Sequence, residues 1–359
     1  MKIIQVQTQA EAAGAQHVSD MVGAGLRARG HQVRTVFMYR KTSAYDADPH
    51  ADFILDHRPR GPLELLRAIA GLIGYMRRER PDAVISYQHY GNIFGTLAGR
   101  MAGAKRLIAN QSGAPGKFGG PLAAPLDRLM GTLGAYHFSV VNSGWMEAQF
   151  AGYPERYRQR TRRIDHGVEV PAVLPDRQAS RAALGVPGNA FVLVSTGRLT
   201  EGKNQRVLVE ALAELPDAHL VLAGAGPEAE KIGATARRLG VSDRLHRLGE
   251  VPAARIDEVL AAGDVFAFAS RTETFGLSAA EAAIAGLPVV ANDIAVLREV
   301  LGDAAIYVDA EQGSAVARAV RRLIAEPGKA AALAAAGRAL RARYAPERMC
   351  AAYEALLSA

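Results

Sequence analysis

Residues 262–291 read AGDVFAFASRTETFGLSAAEAAIAGLPVVA. Val265 to Phe268 is a short apolar run of the kind that forms a buried strand. Leu277 to Ala285 reads as helix, and Pro288 to Ala291 as the next strand. A strand, a helix and a second strand within 30 residues make a βαβ unit, whose two strands run parallel. Between the first strand and the helix lies Arg271-Thr-Glu-Thr-Phe-Gly-Leu-Ser-Ala-Ala-Glu281. Glu273 falls in the loop at the strand's carboxyl end. Glu281 falls about two turns inside the helix, at ~1.5 Å rise per residue. Phe275-Gly276-Leu277 presents backbone N–H groups at the helix start, a seat for an anion, and Gly276 lets a ligand approach the backbone. On spacing alone a second reading stays open. Glu273 is then a helix-start acid favoured by the dipole, and Glu281 a solvated one.

The same rhythm extends in both directions. Phe191 to Ser195, His219 to Ala223, Leu245 to Leu248 and Ala305 to Val308 read as further strands, with helices such as Gln205 to Glu214 between them. Upstream, Lys2 to Val6, Gln32 to Met38, Ala83 to Tyr87, Arg106 to Asn110 and Phe138 to Val141 read as strands. Ala15 to Arg29, Leu63 to Arg78 and Ile93 to Ala102 read as helices. The prolines and glycines of Gly167 to Gly188 separate the two halves, with the linker near Val168 to Asp176. The fold class is therefore α/β, with two doubly wound parallel sheets. The expected domains are 1–168, 169–343 and a terminal helix, 344–359. In such folds ligands bind beyond the carboxyl ends of the strands, and two facing sheets would place the main site in the cleft between them.

Composition narrows the function. The chain has 359 residues, 49% hydrophobic and 22% charged, enough to build large cores, and this excludes wholesale disorder. A single cysteine, Cys350, excludes a disulfide scaffold or a cysteine-rich metal site, fits a cytoplasmic location and suits packing better than nucleophilic chemistry. No segment approaches the ~18 apolar residues of a membrane span. Gln5, Gln7 and Gln9 interrupt the apolar start, unlike a signal peptide. Of the net charge of +7, residues 1–169 contribute +8, from 22 Lys+Arg against 14 Asp+Glu. A basic half suits an anionic substrate, a membrane surface or nucleic acid. No Gly-x-Gly-x-x-Gly follows the first strand, so a dinucleotide oxidoreductase is not expected, and neither a Walker A motif nor a Gly-x-Ser-x-Gly elbow is present. Asp46-Ala-Asp48 lies far from every other motif and reads as a solvated loop.

The stretch 271–291 resembles the E-x7-E signature of the retaining glycosyltransferases of family 4, which have the GT-B fold. VLVSTGRLTEGKN (192–204) resembles that family's phosphate loop, LVLAGAGPE (220–228) its Gly-x-Gly-Pro-Glu turn, and AGDVFAFAS (262–270) the segment before its signature. RIDHGVEV (163–170) is similar to the interdomain segment, with His166 where Asn is usual. AEAAGAQHV (10–18) resembles the glycine-rich first loop, with Ala13-Gly14 in place of Gly-Gly.

The resemblance implies roles. Arg198 and Lys203 would grip the diphosphate of a nucleotide sugar and stabilise it as it leaves, one as a fork and one as a point charge. Glu273 would hold the donor sugar and Glu281 the ribose. The backbone of Phe275, Gly276 and Leu277 would meet the phosphates. Gly224 and Gly226 would turn near the nucleotide, and Leu248 lies where the family seats the base. Gly14 would approach the diphosphate from the first domain. His89, in SYQHYGN, would contact the transferred sugar or the acceptor; a hydrogen-bonded loop histidine is the alternative. Asn110, Ser112 and Gly113 are weaker candidates to line the cleft.

The expected activity is retaining, metal-independent transfer of a hexosyl group from a UDP- or GDP-sugar to a sugar- or lipid-linked acceptor, in cell-envelope or exported polysaccharide synthesis. No cofactor is expected beyond the nucleotide-sugar co-substrate. Two rivals remain. An epimerase or hydrolase of the same fold would release UDP and free sugar without an acceptor, and a non-catalytic binder would hold donor without turnover. Leu63 to Arg80 and Arg156 to Arg163 are basic stretches that suit either a solvated face or contact with anionic lipid. Nucleic acid is not expected, because no aromatics interleave with the charges.

Overall fold

A computed structural model describes residues 1–11, 13–116 and 123–359. The chain divides into two units. Met1–Gly167 with Tyr344–Ala359 forms the first, and Val168–Arg343 the second.

Among the described residues, the first unit holds a seven-stranded sheet, β1 (Lys2–Ala10), β2 (Gln32–Arg40), β3 (Ala51–Phe53), β4 (Ala83–Tyr87), β5 (Arg106–Asn110), β6 (Phe138–Val141) and β7 (Thr161–Arg163). The order is β3-β2-β1-β4-β5-β6-β7, and every pairing is parallel. β1 is nine residues long, beyond the short apolar run at the start. Its central place buries Gln5 and Gln7 completely, and hydrogen bonds offset that burial. Gln5 Nε2 donates to the Ser19 carbonyl at 2.9 Å and to Tyr87 Oη at 3.0 Å, and Gln7 Nε2 donates to Ser19 Oγ at 2.6 Å. The apolar positions of β1, β2, β4 and β5 form one core with Leu72, Met76, Met130 and Tyr157.

The expected helix 93–102 is a π turn, Gly91–Gly95, that runs into the helix Thr96–Met101. A Cβ at Gly95 or Gly99 would come within 2.9 Å of Val6 or 2.7 Å of Val84, so small residues let this segment lie directly on the sheet. The helix Pro346–Ser358 packs on the helix Gly14–Ala28, with Cys350 buried beside Met21 and Gly25.

The second unit holds β8 (Phe191–Thr196), β9 (Ala218–Ala223), β10 (Leu245–Gly249), β11 (Val265–Phe268), β12 (Val289–Asn292) and β13 (Ala305–Val308). Their order is β10-β9-β8-β11-β12-β13, and each pairing is parallel. Leu193, Leu220, Leu222, Ala267 and Val290 meet Leu208, Leu212, Ile232 and Val320 from the covering helices in its core. Among the described residues no helix is long and apolar enough to cross a membrane.

Candidate active site

In the second sheet the chain leaves β8 toward β9 on one side and later returns to β11 on the other. The loops after β8 and β11 therefore diverge, and a crevice opens at the carboxyl edge, where open α/β sheets bind ligands. Arg198 and Lys203 follow β8, and Glu273 to Leu277 follow β11. Lys203 Nζ lies 2.5 Å from Glu273 Oε1 and 5.4 Å from the centre of the Phe268 ring. The lysine side chain is 26% exposed and the glutamate 11%, so this ion pair is only partly wet. Arg198 is exposed, and its guanidinium has no hydrogen-bond or ion-pair partner among the described residues. Phe275 is buried, and Gly276, with φ +89, caps the helix Leu277–Ile284 with no side chain over its first N–H groups. The loops at this edge thus carry a fork-shaped cation, a point cation, a carboxylate and a helix start without a side-chain cap.

Backbone contacts fix this arrangement. Gly197 N donates to the Ala223 carbonyl and Leu199 N to the Ala225 carbonyl, both at 2.9 Å, while Glu228 N donates to the Leu199 carbonyl at 3.0 Å. The phosphate-loop candidate therefore lies against the Gly-x-Gly turn along its length. A Cβ on Gly224 would sit 1.9 Å from the Gly197 oxygen, and one on Gly226 2.2 Å from the Leu199 oxygen. Their φ values are +147 and +157. These glycines are needed for the passage of the β8 loop, whatever else they meet. Leu248 lies in β10 beside Gly249, whose carbonyl accepts from Gly224 N at 2.7 Å. We expect Gly226→Ala to lower stability by about 1–3 kcal/mol, since neither the conformation nor the space admits a methyl. Thermal denaturation of the variant checks this, and an unchanged midpoint would show that the loop can step aside.

Sequence reasoning passed over four residues that hold the crevice. Asn204, left-handed at φ +53, donates through Nδ2 to the Ala310 carbonyl at 2.9 Å. Asn292 Nδ2 donates to the Ser270 carbonyl at 3.0 Å, and its Oδ1 accepts from Ala310 N at 3.1 Å. Arg271 binds both carboxylate oxygens of Glu311 at 2.6 Å and donates to the Glu201 carbonyl at 3.0 Å, tying the β8, β11 and β13 loops together. Ser270, wholly buried, donates to the Gly202 carbonyl at 3.3 Å. An Asn directly after a Gly-Lys turn is a local signal for left-handed backbone, but its distant partner is not written locally.

Glu281 lies in the second turn of the helix Leu277–Ile284. Burial pushes its carboxyl up to about 7, and the nearby Asp257 carboxylate adds to the rise. Asp257 is itself raised by burial and then by Glu169. Among the described residues no group of three His, Cys, Asp or Glu is placed to hold a metal ion.

The first sheet has its own switch point, between β1 and β4. Gly14 opens the helix Gly14–Ala28 beyond β1, with no side chain capping its N–H groups. His89 follows β4 after Gln88, which is left-handed at φ +64 and accepts from Thr8 N through its Oε1 at 3.2 Å. His89 Nε2 is buried without a hydrogen-bond partner among the described residues, and burial lowers the ring's pKa. The imidazole is thus held neutral with one nitrogen uncommitted. Asn110, a candidate lining residue, is engaged structurally instead. Its Nδ2 donates to the Ser86 carbonyl at 3.1 Å, and its Oδ1 accepts from the buried Tyr353 hydroxyl of the terminal helix. His166 is bonded to Asn142, and burial lowers it to about 4. Asp46 pairs with Arg40, and Asp48 accepts from His50 N at 2.8 Å, as a loop-ordering pair would.

The chain matches two family models, "Glycosyl transferase 4-like domain" over residues 13–165 and "Glycosyl transferases group 1" over residues 176–340. A GDP-mannose-dependent alpha-(1-6)-phosphatidylinositol monomannoside mannosyltransferase from Mycolicibacterium smegmatis is 32% identical over 267 residues, 68% of this chain and 68% of that protein. A D-inositol 3-phosphate glycosyltransferase from Segniliparus rotundus is 30% identical over 235 residues. That alignment spans 63% of this chain and half the length of the relative. Anabaena Alr3699/HepE, solved with UDP and glucose, superposes with a TM-score of 0.86 at 21% identity, covering 100% of this chain and 99% of that one. Two parallel-sheet units, one matched by each model over most of its length, place the chain among the group 1 glycosyltransferases, with the GT-B fold.

Proposed function

We propose that the chain transfers a hexosyl group from a nucleoside diphosphate sugar to an acceptor hydroxyl, with retention at the anomeric carbon and without a metal ion. The observation that carries this is the junction of Arg198, Lys203, Glu273 and the amides of Phe275 to Leu277 at the switch point of the second sheet. Two cations beside helix-start amides suit a diphosphate and stabilise it as negative charge develops on departure. Glu273, paired with Lys203, accepts from hydroxyls of the donor sugar in this reading. Glu281 accepts from the ribose, and the edge at Gly224, Gly226 and Leu248 takes the base.

His89 and Gly14 serve the same reaction from the first sheet. A neutral, buried imidazole with Nε2 uncommitted can accept from or donate to a sugar or acceptor hydroxyl. The resemblance to the family favours same-face attack, in which the leaving phosphate helps take the acceptor proton. The donor is a UDP- or GDP-sugar: relatives and neighbours are named for GDP-mannose and for UDP. The acceptor is sugar- or lipid-linked, which fits work in envelope or exported polysaccharide synthesis on the cytoplasmic face, with the basic first unit touching anionic lipid.

The test is a donor screen against a lipid-linked or sugar acceptor, with product anomers read by NMR. We expect an α-glycoside from an α-linked donor, at the same rate with and without EDTA. An inverted product, or a loss with EDTA that Mg²⁺ or Mn²⁺ restores, would refute the mechanism. UDP release with free sugar and no glycoside would favour a hydrolase.

A further inference from the structure

A cavity of about 620 Å3 in the first unit is lined by Arg106, His137, Phe138, Arg156, Arg160 and Arg162. Arg106 opens β5, Phe138 opens β6, and Arg162 lies in β7, so the cavity is at the amino edge of these strands. His89 and Gly14 lie at the opposite, carboxyl edge. The cavity therefore has no part in the site described above.

Its chemistry is one-sided. No Asp or Glu side chain lines it, and none of the four arginines forms an ion pair with a carboxylate among the described residues. Ala359 also reaches the wall, and a carboxylate there would still face four guanidiniums. Arg106 Nε and Arg160 Nε are buried with no hydrogen-bond partner among the described residues. Arg162 donates to the Gln159 and Thr161 carbonyls at 2.8 Å and lies 5.3 Å from the Phe138 ring, which fixes its plane. His137 Nδ1 accepts from Leu107 N at 3.0 Å, so its neutral form carries the proton on Nε2. Burial lowers its pKa first, and then Arg106, Arg100 and Arg160, as crowded cations do.

Clustered guanidiniums normally find an anion. The volume falls in the range of small-molecule sites, large enough for a phosphate with its substituent. We propose that this cavity binds a phosphoryl group, as a phosphate ester or a pyrophosphate, through Arg106, Arg156, Arg160 and Arg162. The group could come from a soluble metabolite or from a lipid head group. Leu133, in the cavity wall, ends the helix Ala123–Leu133, on which Leu126 and Leu129 are also exposed at helical spacing, and this apolar stripe gives reason to test the lipid source.

The experiment uses the full chain carrying Arg198→Ala and Lys203→Ala, which removes the donor loop as a competing anion site. Calorimetry with inorganic pyrophosphate tests the soluble source. Co-sedimentation with phosphatidylglycerol–phosphatidylcholine vesicles, against phosphatidylcholine alone, tests the lipid source. We expect binding in at least one arm, weakened ~10-fold or more by Arg106→Gln with Arg160→Gln and ~3-fold or more by the exposed Arg156→Gln. Arg318→Gln, on the second unit, controls for net charge and should change binding less than twofold. Retained affinity in the cavity variants, equal loss in the control, or binding in neither arm would overturn the proposal. Should the double variant fail to fold, Arg156→Gln decides alone.

Discussion

Replacing Arg198 by alanine should lower kcat/KM at least ~10²-fold and leave the thermal midpoint where it is. Replacing Lys203 should cost as much in kcat/KM and lower the midpoint as well. The two losses share a cause: each removes a positive charge from a diphosphate that gains negative charge as it departs. Their difference comes from the resting partners. The Arg198 guanidinium is exposed and has no partner among the described residues, so its removal leaves nothing uncompensated. Lys203 is paired with Glu273 at 2.5 Å, and its removal leaves a largely buried carboxylate without its counter-charge. Steady-state kinetics with melting curves on both variants is the check. Near wild-type transfer by both would remove the phosphate grip from this loop. A midpoint that falls equally in both would mean Arg198 has a structural role.

The second large effect separates the two glutamates. Glu273→Gln should lower kcat ~10–10³-fold, because an anionic acceptor that positions the sugar is lost, and should leave the affinity for free nucleoside diphosphate unchanged. Glu281→Gln should mainly weaken that diphosphate, since a charged hydrogen bond contributes ~1.5–3 kcal/mol. The carboxyl of Glu281, raised to about 7, supplies a pH signature. On the proposed role, ribose hydroxyls would donate to the ionised form, so wild-type affinity should be greatest above pH 7 and fall as the pH drops through it. The Gln variant should lack that step, and comparing the two cancels the diphosphate's own titration. Stability should run the other way. A carboxyl raised in the folded state stabilises below its ordinary range near 4.5 and loses that contribution as the pH rises through about 7. Glu281→Gln should therefore melt higher than wild type at pH 8, with little difference at pH 4. Calorimetric titration across pH 5.5–8.5 is decisive. Weakening confined to Glu273→Gln would mean the carboxylates are exchanged, and equal weakening in both variants would mean that their roles do not divide in this way.

Much of the molecule could be read from local pattern. β4, β5, β6, β11 and β13 have the bounds their apolar runs suggest, and the helix Leu277–Ile284 starts where Gly276 frees the backbone. β3 and β7 escaped because three-residue edge strands, one of them Thr-Arg-Arg, have too few buried positions to show a period. The sequence reading of β1 stops short because Gln5, Gln7 and Gln9 look like an end to burial, while the groups to which Gln5 and Gln7 donate, on Ser19 and Tyr87, are 12 to 82 residues away.

The sequence by itself determined the βαβ rhythm, the place of each loop at a strand's carboxyl end, and the kinds of group those loops carry. These follow from periodicity and backbone chemistry within a few residues. Only the tertiary structure decided that Lys203 and Glu273 neutralise each other, that Gly224 and Gly226 clear a path for the β8 loop, and that Asn110 is engaged by the terminal helix. It also decided that burial raises the Glu281 carboxyl and that four arginines share one cavity at the amino edge of the first sheet. Burial and charge coupling depend on which distant segments become neighbours, and that is set by strand order rather than by the residues on either side.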